Sequence, residues 1–270
     1  MEPDRSTPEE GGSAEPRAAS AEGTSSSGRK PCPRCGKSCG GYCSDCVVVL
    51  DPAAPQGLRL PLRLHILQHG ETNARSTALH AALMAPADVQ LHRHAGSTTS
   101  RRCDPLALQL PEWDPASTAV LFPEGPDTPA VGDPACPPFQ QLVVLESNWR
   151  KARGLLRHPR LAGLPRVQLP REVCSTEFEW RRGDGSFRGA VDEGLSSIEA
   201  IVHACRLLGS AGESYDSLLY FFRQQQAYVK KRGALPTSRQ EARARQKKPR
   251  AARGQQERAA ADGGGAAAPL

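Results

Sequence analysis

The stretch from Leu142 to Arg153 limits the possible folds more than any other part of this sequence. Four consecutive aliphatic residues, Leu142–Leu145, predict a short strand that is buried on both faces, as in parallel sheets. An acid, Glu146, follows at once, and Ser147 or Asn148 can cap a following helix. An acid between a buried strand and a helix N-terminus is typical of ligand sites in open α/β sheets.

The ends of the chain differ in composition from its middle. Residues 1–29 have almost no large apolar side chain, which predicts a disordered segment. The sequence from residue 231 to residue 270 is a basic, low-complexity tail, suited to polyanions or nuclear import. A solvated tail without a partner is the alternative. The formal net charge of +6 is compatible with an anionic partner.

The composition also bears on the cellular compartment. A run of about 18 apolar residues, which a transmembrane helix requires, is missing, and the N-terminus lacks a secretion signal. We therefore expect a protein of the nucleus or the cytoplasm, neither secreted nor bound to a membrane. We infer no obligate protein partner.

Paired cysteines follow the N-terminal segment. The sequence has nine cysteines, and four of them form two Cys-x-x-Cys knuckles, Cys32/Cys35 and Cys43/Cys46. Without a secretion signal, such pairs bind metal more often than they form disulfides, so residues 30–50 are predicted to be a structural Zn²⁺ site. Reduced structural thiols are the alternative. Cys39 belongs to neither pair. It either does not bind the metal or replaces one of the four ligands.

The remaining patterns alternate between strands and helices, which predicts a mostly parallel α/β sheet for residues 58–230. Ser196 and Glu199 form a capping box that begins the clearest helix, which ends near Gly209. His92 and His94 alternate on one strand, where a solvated face is favoured over a metal site. The other predicted strands are 63–68, 89–94, 118–122 and 166–169, and the other predicted helices are 75–84, 149–157 and 217–230.

Three polar turns stand out between or beside these elements, at 123–126, 146–149 and 194–197. They would form one site if their elements are neighbours in the sheet. None of them matches a glycine-rich dinucleotide fingerprint or a phosphate-binding loop. The residues alone therefore predict a site without identifying its ligand.

Several short motifs occur in order over about residues 30 to 230. They are the two cysteine knuckles, Ile66–His69 with Glu71, Arg75–His80, Leu121–Pro123, Glu146–Trp149 and Leu195–Ala200. Jointly, and in this order, these motifs resemble the DTW-domain family, the tRNA-uridine aminocarboxypropyltransferases, and the resemblance is closest to a eukaryotic branch.

The resemblance implies a fold related to the knotted RNA methyltransferases. It also implies transfer of the 3-amino-3-carboxypropyl group from S-adenosylmethionine to N3 of a tRNA uridine, which releases methylthioadenosine. Two positions depart from the family pattern. Glu146-Ser-Asn-Trp149 replaces Asp-x-Thr-Trp, and Gly70 follows His69 where the family commonly has proline.

Site residues are assigned on this basis. Glu146 and Trp149 are the predicted catalytic residues. Glu146 is the candidate general base, and Trp149 would form a wall of the pocket or stack on a base, with a core aromatic residue as the alternative. Free N–H groups where the 196–197 helix begins could hold the carboxylate of the donor. The predicted cofactor-binding residues are Pro123, Gly125, Asn148, Leu195, Ser196 and Ser197, and the predicted RNA-binding residues are Arg75, Arg150, Lys151 and Arg153.

Two other functions remain open at this stage. The first is a knotted-fold RNA methyltransferase that uses the same donor. The second is a non-catalytic tRNA-binding relative, which the altered Glu146–Trp149 motif makes credible.

Overall fold

The computed structural model describes residues 28–70, 76–94, 104–147, 149–173, 176–177 and 195–231. The predicted N-terminal disordered segment and the basic tail fall almost wholly outside these residues. So do Arg75 and Asn148. Of Trp149 and Arg150, the structure describes the backbone and not the side chains.

A five-stranded parallel sheet forms the centre of the protein, in the order β6–β5–β8–β7–β9. The predicted mostly parallel α/β fold is therefore confirmed, and the knotted arrangement stays a prediction. The strands are β5 (Arg63–Gln68), β6 (Val89–Arg93), β7 (Thr118–Leu121), β8 (Gln141–Glu146) and β9 (Arg166–Val167).

Strand β8 lies in the middle of the sheet, as its aliphatic sequence predicts. It pairs in parallel with β5 on one side and with β7 on the other, so that Leu142 lies between Leu64 and Ala119. Both faces of β8 are covered, because successive side chains point to opposite faces and Leu142, Val143 and Val144 are all buried.

Helices cover the two faces of the sheet. One face packs against α1, α4 and α5, and the other against α2 and α3. The helices are α1 (Leu79–Met84), α2 (Trp149–Leu155), α3 (Pro159–Ala162), α4 (Ser197–Leu208) and α5 (Tyr220–Lys231). Short 3₁₀ turns occur at Pro105–Ala107, Arg171–Val173 and Asp216–Leu219, and the last of these leads into α5.

Helix α4 begins and ends at the residues that its sequence predicts. The Ser196 side chain accepts a hydrogen bond from the backbone N–H of Glu199, and the Glu199 carboxylate accepts one from the backbone N–H of Ser196. Both halves of the capping box are thus present. Gly209 follows the last turn, and its backbone N–H donates to the Cys205 carbonyl.

The cysteine-rich segment forms two small hairpins ahead of the sheet. They are β1 (Lys30–Pro31) with β2 (Ser38–Cys39), and β3 (Tyr42–Cys43) with β4 (Val48–Val49). Tyr42 connects these hairpins to the α/β core. Its hydroxyl lies 3.1 Å from Nε2 of the buried His80, and its ring packs against Phe221 of α5.

None of the helices in the described residues combines the length and the apolar character that are needed to cross a membrane.

Buried histidines make the stability of this core dependent on pH. Burial lowers the pKa of His80 to about 3 and that of His92 to about 4, and it also lowers the pKa of His65. In the unfolded chain these groups titrate near pH 6.5, so the unfolded state binds more protons below that value. The free energy of unfolding is therefore unaffected by these groups above about pH 6.5, where they are neutral in both states. It decreases as the pH falls from 6.5 towards their pKa values in the folded protein.

We therefore predict that the free energy of unfolding, measured in urea, falls between pH 6.5 and pH 5 by about 2 kcal/mol for each fully buried histidine. His80→Gln should reduce the slope by about 1.4 kcal/mol per pH unit, because one titrating group is removed. The metal content should be measured at each pH, so that loss of a metal ion is recognised. A free energy that does not change over this range would contradict the prediction.

Candidate functional site

The carboxyl ends of the parallel strands meet at one edge of the sheet, and the candidate site lies there. Gln68, at the end of β5, is paired in register with Glu146, at the end of β8. Beyond the strands, the backbone N–H of His69 donates to the Glu146 carbonyl at 3.1 Å. The Ser147 hydroxyl donates to the His69 carbonyl at 2.6 Å. These bonds hold the loops after β5 and β8 together.

Glu146 is the predicted site acid, and it is 5% exposed. Strand alternation places its side chain on the same face as Leu142 and Val144, which is the face that α4 covers. Its carboxylate is therefore held in a largely water-excluded position at the end of a central strand. The location agrees with the sequence analysis, and its role as a base stays a prediction.

The loop after β7 contains two predicted cofactor residues, the exposed Pro123 and the half-buried Gly125. The backbone N–H groups of Glu124 and Gly125 both donate to the Thr128 hydroxyl, at 3.2 and 3.0 Å, which fixes a tight turn. Beside this turn lies an open cleft of about 410 Å³. Its lining residues are Glu124, Gly125, Asp127, Thr128, Pro129 and Arg166.

Arg166 gives this cleft a fixed positive charge. Its Nη1 donates to the carbonyls of Leu161 and Leu164, at 2.8 and 2.9 Å, which orients the guanidinium. Burial lowers the pKa of Arg166, while the Glu124 carboxylate, 3.9 Å away, raises it. The cleft therefore presents both a cation and carboxylates. Sequence reasoning missed Arg166, because nothing in its short strand marks it as a site residue.

The start of α4 contains the other predicted cofactor residues, Leu195, Ser196 and Ser197. Ser196 is completely buried, and its hydroxyl donates to the Glu199 carboxylate at 2.6 Å. That hydroxyl is committed to the helix cap, and so is the backbone N–H of Ser196, which donates to the Glu199 carboxylate at 2.7 Å, while its carbonyl accepts from the Ala200 N–H. Leu195 and Ser197 are half-buried. The helix packs against β8, the strand that ends in Glu146.

The predicted RNA-binding residues that the structure describes lie on α2. Lys151 is half-buried, and its Nζ donates to the Gly70 carbonyl at 3.4 Å, whereas Arg153 is exposed to solvent. Gly70 has a φ of +66°, and a Cβ at this position would collide with the Lys151 side chain. Proline, which fixes φ near −65°, cannot adopt this conformation. The glycine that departs from the family pattern is thus required by the local backbone.

Two histidine pairs occupy the α2 face of strands β5 and β6. His65 Nδ1 lies 3.1 Å from His92 Nε2, and Trp113 packs edge-on against both rings. His69 Nδ1 lies 2.9 Å from His94 Nε2 at the carboxyl edge. Burial lowers the pKa of His69, as do the neighbouring His94 and Lys151, while Asp104 raises it.

The sequence analysis favoured a solvated face for His92 and His94, and this is wrong for His92, which is buried. The error arose because the partner strand was unknown. His65 of β5 and His69, which directly follows β5, lie on the same side, and they become visible as partners only once β5 and β6 are known to be neighbours.

The four predicted metal ligands come together in the N-terminal hairpins. The sulfur atoms of Cys32, Cys35, Cys43 and Cys46 all lie within 4.8 Å of one another, and Cys35 Sγ is 3.7 Å from Cys43 Sγ. Four thiolates around zinc, at about 2.3 Å each, would be about 3.8 Å apart, so the geometry fits a tetrahedral site. Cys39 is not one of the four, and its Sγ donates to the Lys37 carbonyl.

We predict that Cys43→Ser abolishes zinc binding and lowers the thermal unfolding temperature, because it removes a buried ligand from the cluster. Cys39→Ser is the matched control and should keep both the zinc and the stability. Zinc per chain is measured by atomic spectrometry, together with thermal unfolding. Full zinc occupancy in Cys43→Ser, or its loss in Cys39→Ser, would contradict this assignment of ligands.

Comparison with known proteins identifies the family to which this chain is similar. The family model described as "DTW domain" matches residues 29–230. Three similar curated proteins are all named "tRNA-uridine aminocarboxypropyltransferase 1". The protein from Xenopus tropicalis is 26% identical over 242 residues, which cover 72% of this chain and 77% of that protein. The Xenopus laevis protein is 27% identical (72% and 78% covered), and the human protein is 26% identical (73% and 75% covered).

In the comparison with solved structures, no structure matches this chain.

Proposed function

We propose that this chain, which belongs to the DTW domain family, is a tRNA-uridine aminocarboxypropyltransferase. The observation that carries the proposal is the family match over residues 29–230. Relatives with this name support it, and the alignment with this chain covers about three quarters of their length. The structure supports it with a cleft, a buried acid and a basic helix at the carboxyl edge of one parallel sheet.

The donor in this proposal is S-adenosylmethionine. It supplies a 3-amino-3-carboxypropyl group on a positively charged sulfur, and the carbon–sulfur bond breaks with its electron pair remaining on sulfur, as methylthioadenosine. The cleft beside β7 fits such a molecule in size and charge, since small-molecule sites measure about 300 to 1,000 Å³. Arg166 would bind the donor's carboxylate, and Glu124 or Asp127 its ammonium group.

Glu146 is the proposed general base. Uridine N3 becomes a nucleophile only when its proton leaves, and a carboxylate within hydrogen-bonding distance can accept that proton. Helix α2 directly follows this strand end and carries Lys151 and Arg153, so its charges would hold the phosphates of the RNA near the acid. Most of the remaining rate enhancement would come from positioning the two substrates.

The proposed activity is tested directly with the purified protein, a tRNA mixture and S-adenosylmethionine. Mass spectrometry of the digested RNA should show uridine carrying the aminocarboxypropyl group, formed in proportion to released methylthioadenosine. Release of S-adenosylhomocysteine instead would show a methyltransferase. Donor binding with neither product would show a non-catalytic relative. Either result would overturn the proposal.

We predict that Glu146→Gln lowers the rate of uridine modification by about 10²- to 10⁴-fold, because the amide cannot accept the N3 proton. The change keeps the size of the side chain, so tRNA affinity should stay within about twofold, well below the tenfold change that equals 1.4 kcal/mol. Glu112→Gln, at an exposed acid paired with Arg160, is the control and should be fully active. Full activity of Glu146→Gln would exclude Glu146 as the base.

A further inference from the structure

We infer that the cysteine module has a second role, as a docking surface for the phosphate backbone of the RNA. The knuckle surface, as we define it, consists of Arg29, Lys30, Arg34 and Lys37, all of which are exposed. The inference rests on the proposed function for the identity of the RNA. It adds a contact area outside the carboxyl edge, on a part of the chain assigned only a structural metal site.

The exposed cations of the module favour a polyanion. Four basic residues lie within nine positions, whereas residues 28–51 contain two acids, Asp45 and Asp51. Asp45 forms an ion pair with Lys37, so this pair is neutral and Arg29, Lys30 and Arg34 are the cations that it leaves for a phosphate. Asp51 faces inward, where its carboxylate accepts hydrogen bonds from the Tyr220 hydroxyl and the Gln224 amide, both at 2.9 Å.

A bound zinc ion does not reverse this argument. Four thiolates around Zn²⁺ carry a formal charge of −2, and this charge must be included. Cys32 and Cys43 are buried, Cys46 is half-buried and Cys35 is exposed, so part of this charge lies beneath the hairpins. The basic side chains lie outside, and an approaching phosphate meets them first.

Backbone contacts orient two of these cations. Arg29 donates from its guanidinium to the Ser38 carbonyl and hydroxyl, and Arg34 Nη1 donates to the Cys46 carbonyl at 3.4 Å. A guanidinium has five N–H donors in a planar fork, so donors remain for a phosphate in each case. The arginines are thus held along the surface and not extended into solvent.

The module is also fixed relative to the candidate site. Arg93, the last residue of β6, donates from Nη2 to the Asp45 carbonyl at 2.9 Å, which joins the second knuckle to the carboxyl edge. On the other side, Tyr42 accepts a hydrogen bond from Gln225 of α5 at 2.7 Å. Gly41 packs so closely that a Cβ would lie 3.1 Å from Phe221. The knuckle surface therefore keeps a set position relative to the carboxyl edge.

The test uses the full chain with bound zinc and the triple variant Arg29→Gln/Lys30→Gln/Arg34→Gln. The Kd for tRNA is measured without donor at several salt concentrations. Each lost phosphate contact should reduce the slope of log K against log salt by about 0.7 to 0.9, so a reduction of about 2 to 3 is expected.

Two controls separate a local surface from general charge. The triple variant Arg59→Gln/Arg63→Gln/Arg206→Gln removes the same charge elsewhere, and two of its positions lie before or at the start of β5, at the opposite edge of the sheet. It should keep the wild-type slope. Arg29→Lys/Arg34→Lys keeps the charge and should bind nearly as the wild type does, which also reports on folding, together with zinc content.

An unchanged Kd and slope in the zinc-loaded knuckle variant would overturn the inference. So would an equal effect in the Arg59/Arg63/Arg206 control, or a wild-type chain that does not bind tRNA. Because binding is measured without donor, this result is independent of whether product forms. A chain that binds RNA through the knuckle surface and forms no product would refute the proposed function alone.

Discussion

The parallel pairing of β5 with β8 is the interaction on which the rest of the structure depends. Its register sets Gln68 opposite Glu146, and the same register brings His69 beside Ser147. A shift of one residue would turn every side chain of β8 to the other face, so that Val143 and Leu145 would replace Leu142 and Val144 against α4. The aliphatic pairs along the two strands therefore fix the fold and place the acid at the same time.

This register gives the carboxyl edge two chemically different sides. Glu146 faces the side of α4, where buried residues limit the access of water to its carboxylate. His69, His94 and Lys151 lie on the side of α2, where polar groups are close together and a histidine pair shares a hydrogen bond. The arrangement is consistent with the proposed transferase, in which the cleft beside β7 would take the donor and the cations of α2 would contact the RNA.

Much of the architecture could be predicted from the sequence, because the local signals were strong. The buried strand Leu142–Leu145, the Ser196/Glu199 capping box and the four knuckle cysteines all occupy their predicted places. What could not be predicted depends on contacts between distant segments. Arg166 enters the cleft because β9 pairs with β7, and His65 meets His92 because β5 pairs with β6.

The sequence also does not show which site residues have a polar group that is available to bind a ligand. Ser196 was predicted both as a ligand residue and as a helix cap, and the structure shows that it is completely buried, with its hydroxyl and its N–H both bonded to Glu199. Gly70 looked like a departure from the family pattern, yet its positive φ and the overlying Lys151 explain the glycine. Both cases show that a short motif identifies a region more reliably than it assigns the work of each side chain.

The central claim is that this chain transfers the aminocarboxypropyl group and not the methyl group. It is tested most directly with two preparations of S-adenosylmethionine, one isotopically labelled in the aminocarboxypropyl arm and the other in the methyl group. We predict that the label of the arm enters tRNA at uridine and that the methyl label stays with methylthioadenosine. Methyl label in the RNA, or no label from either donor, would contradict the account.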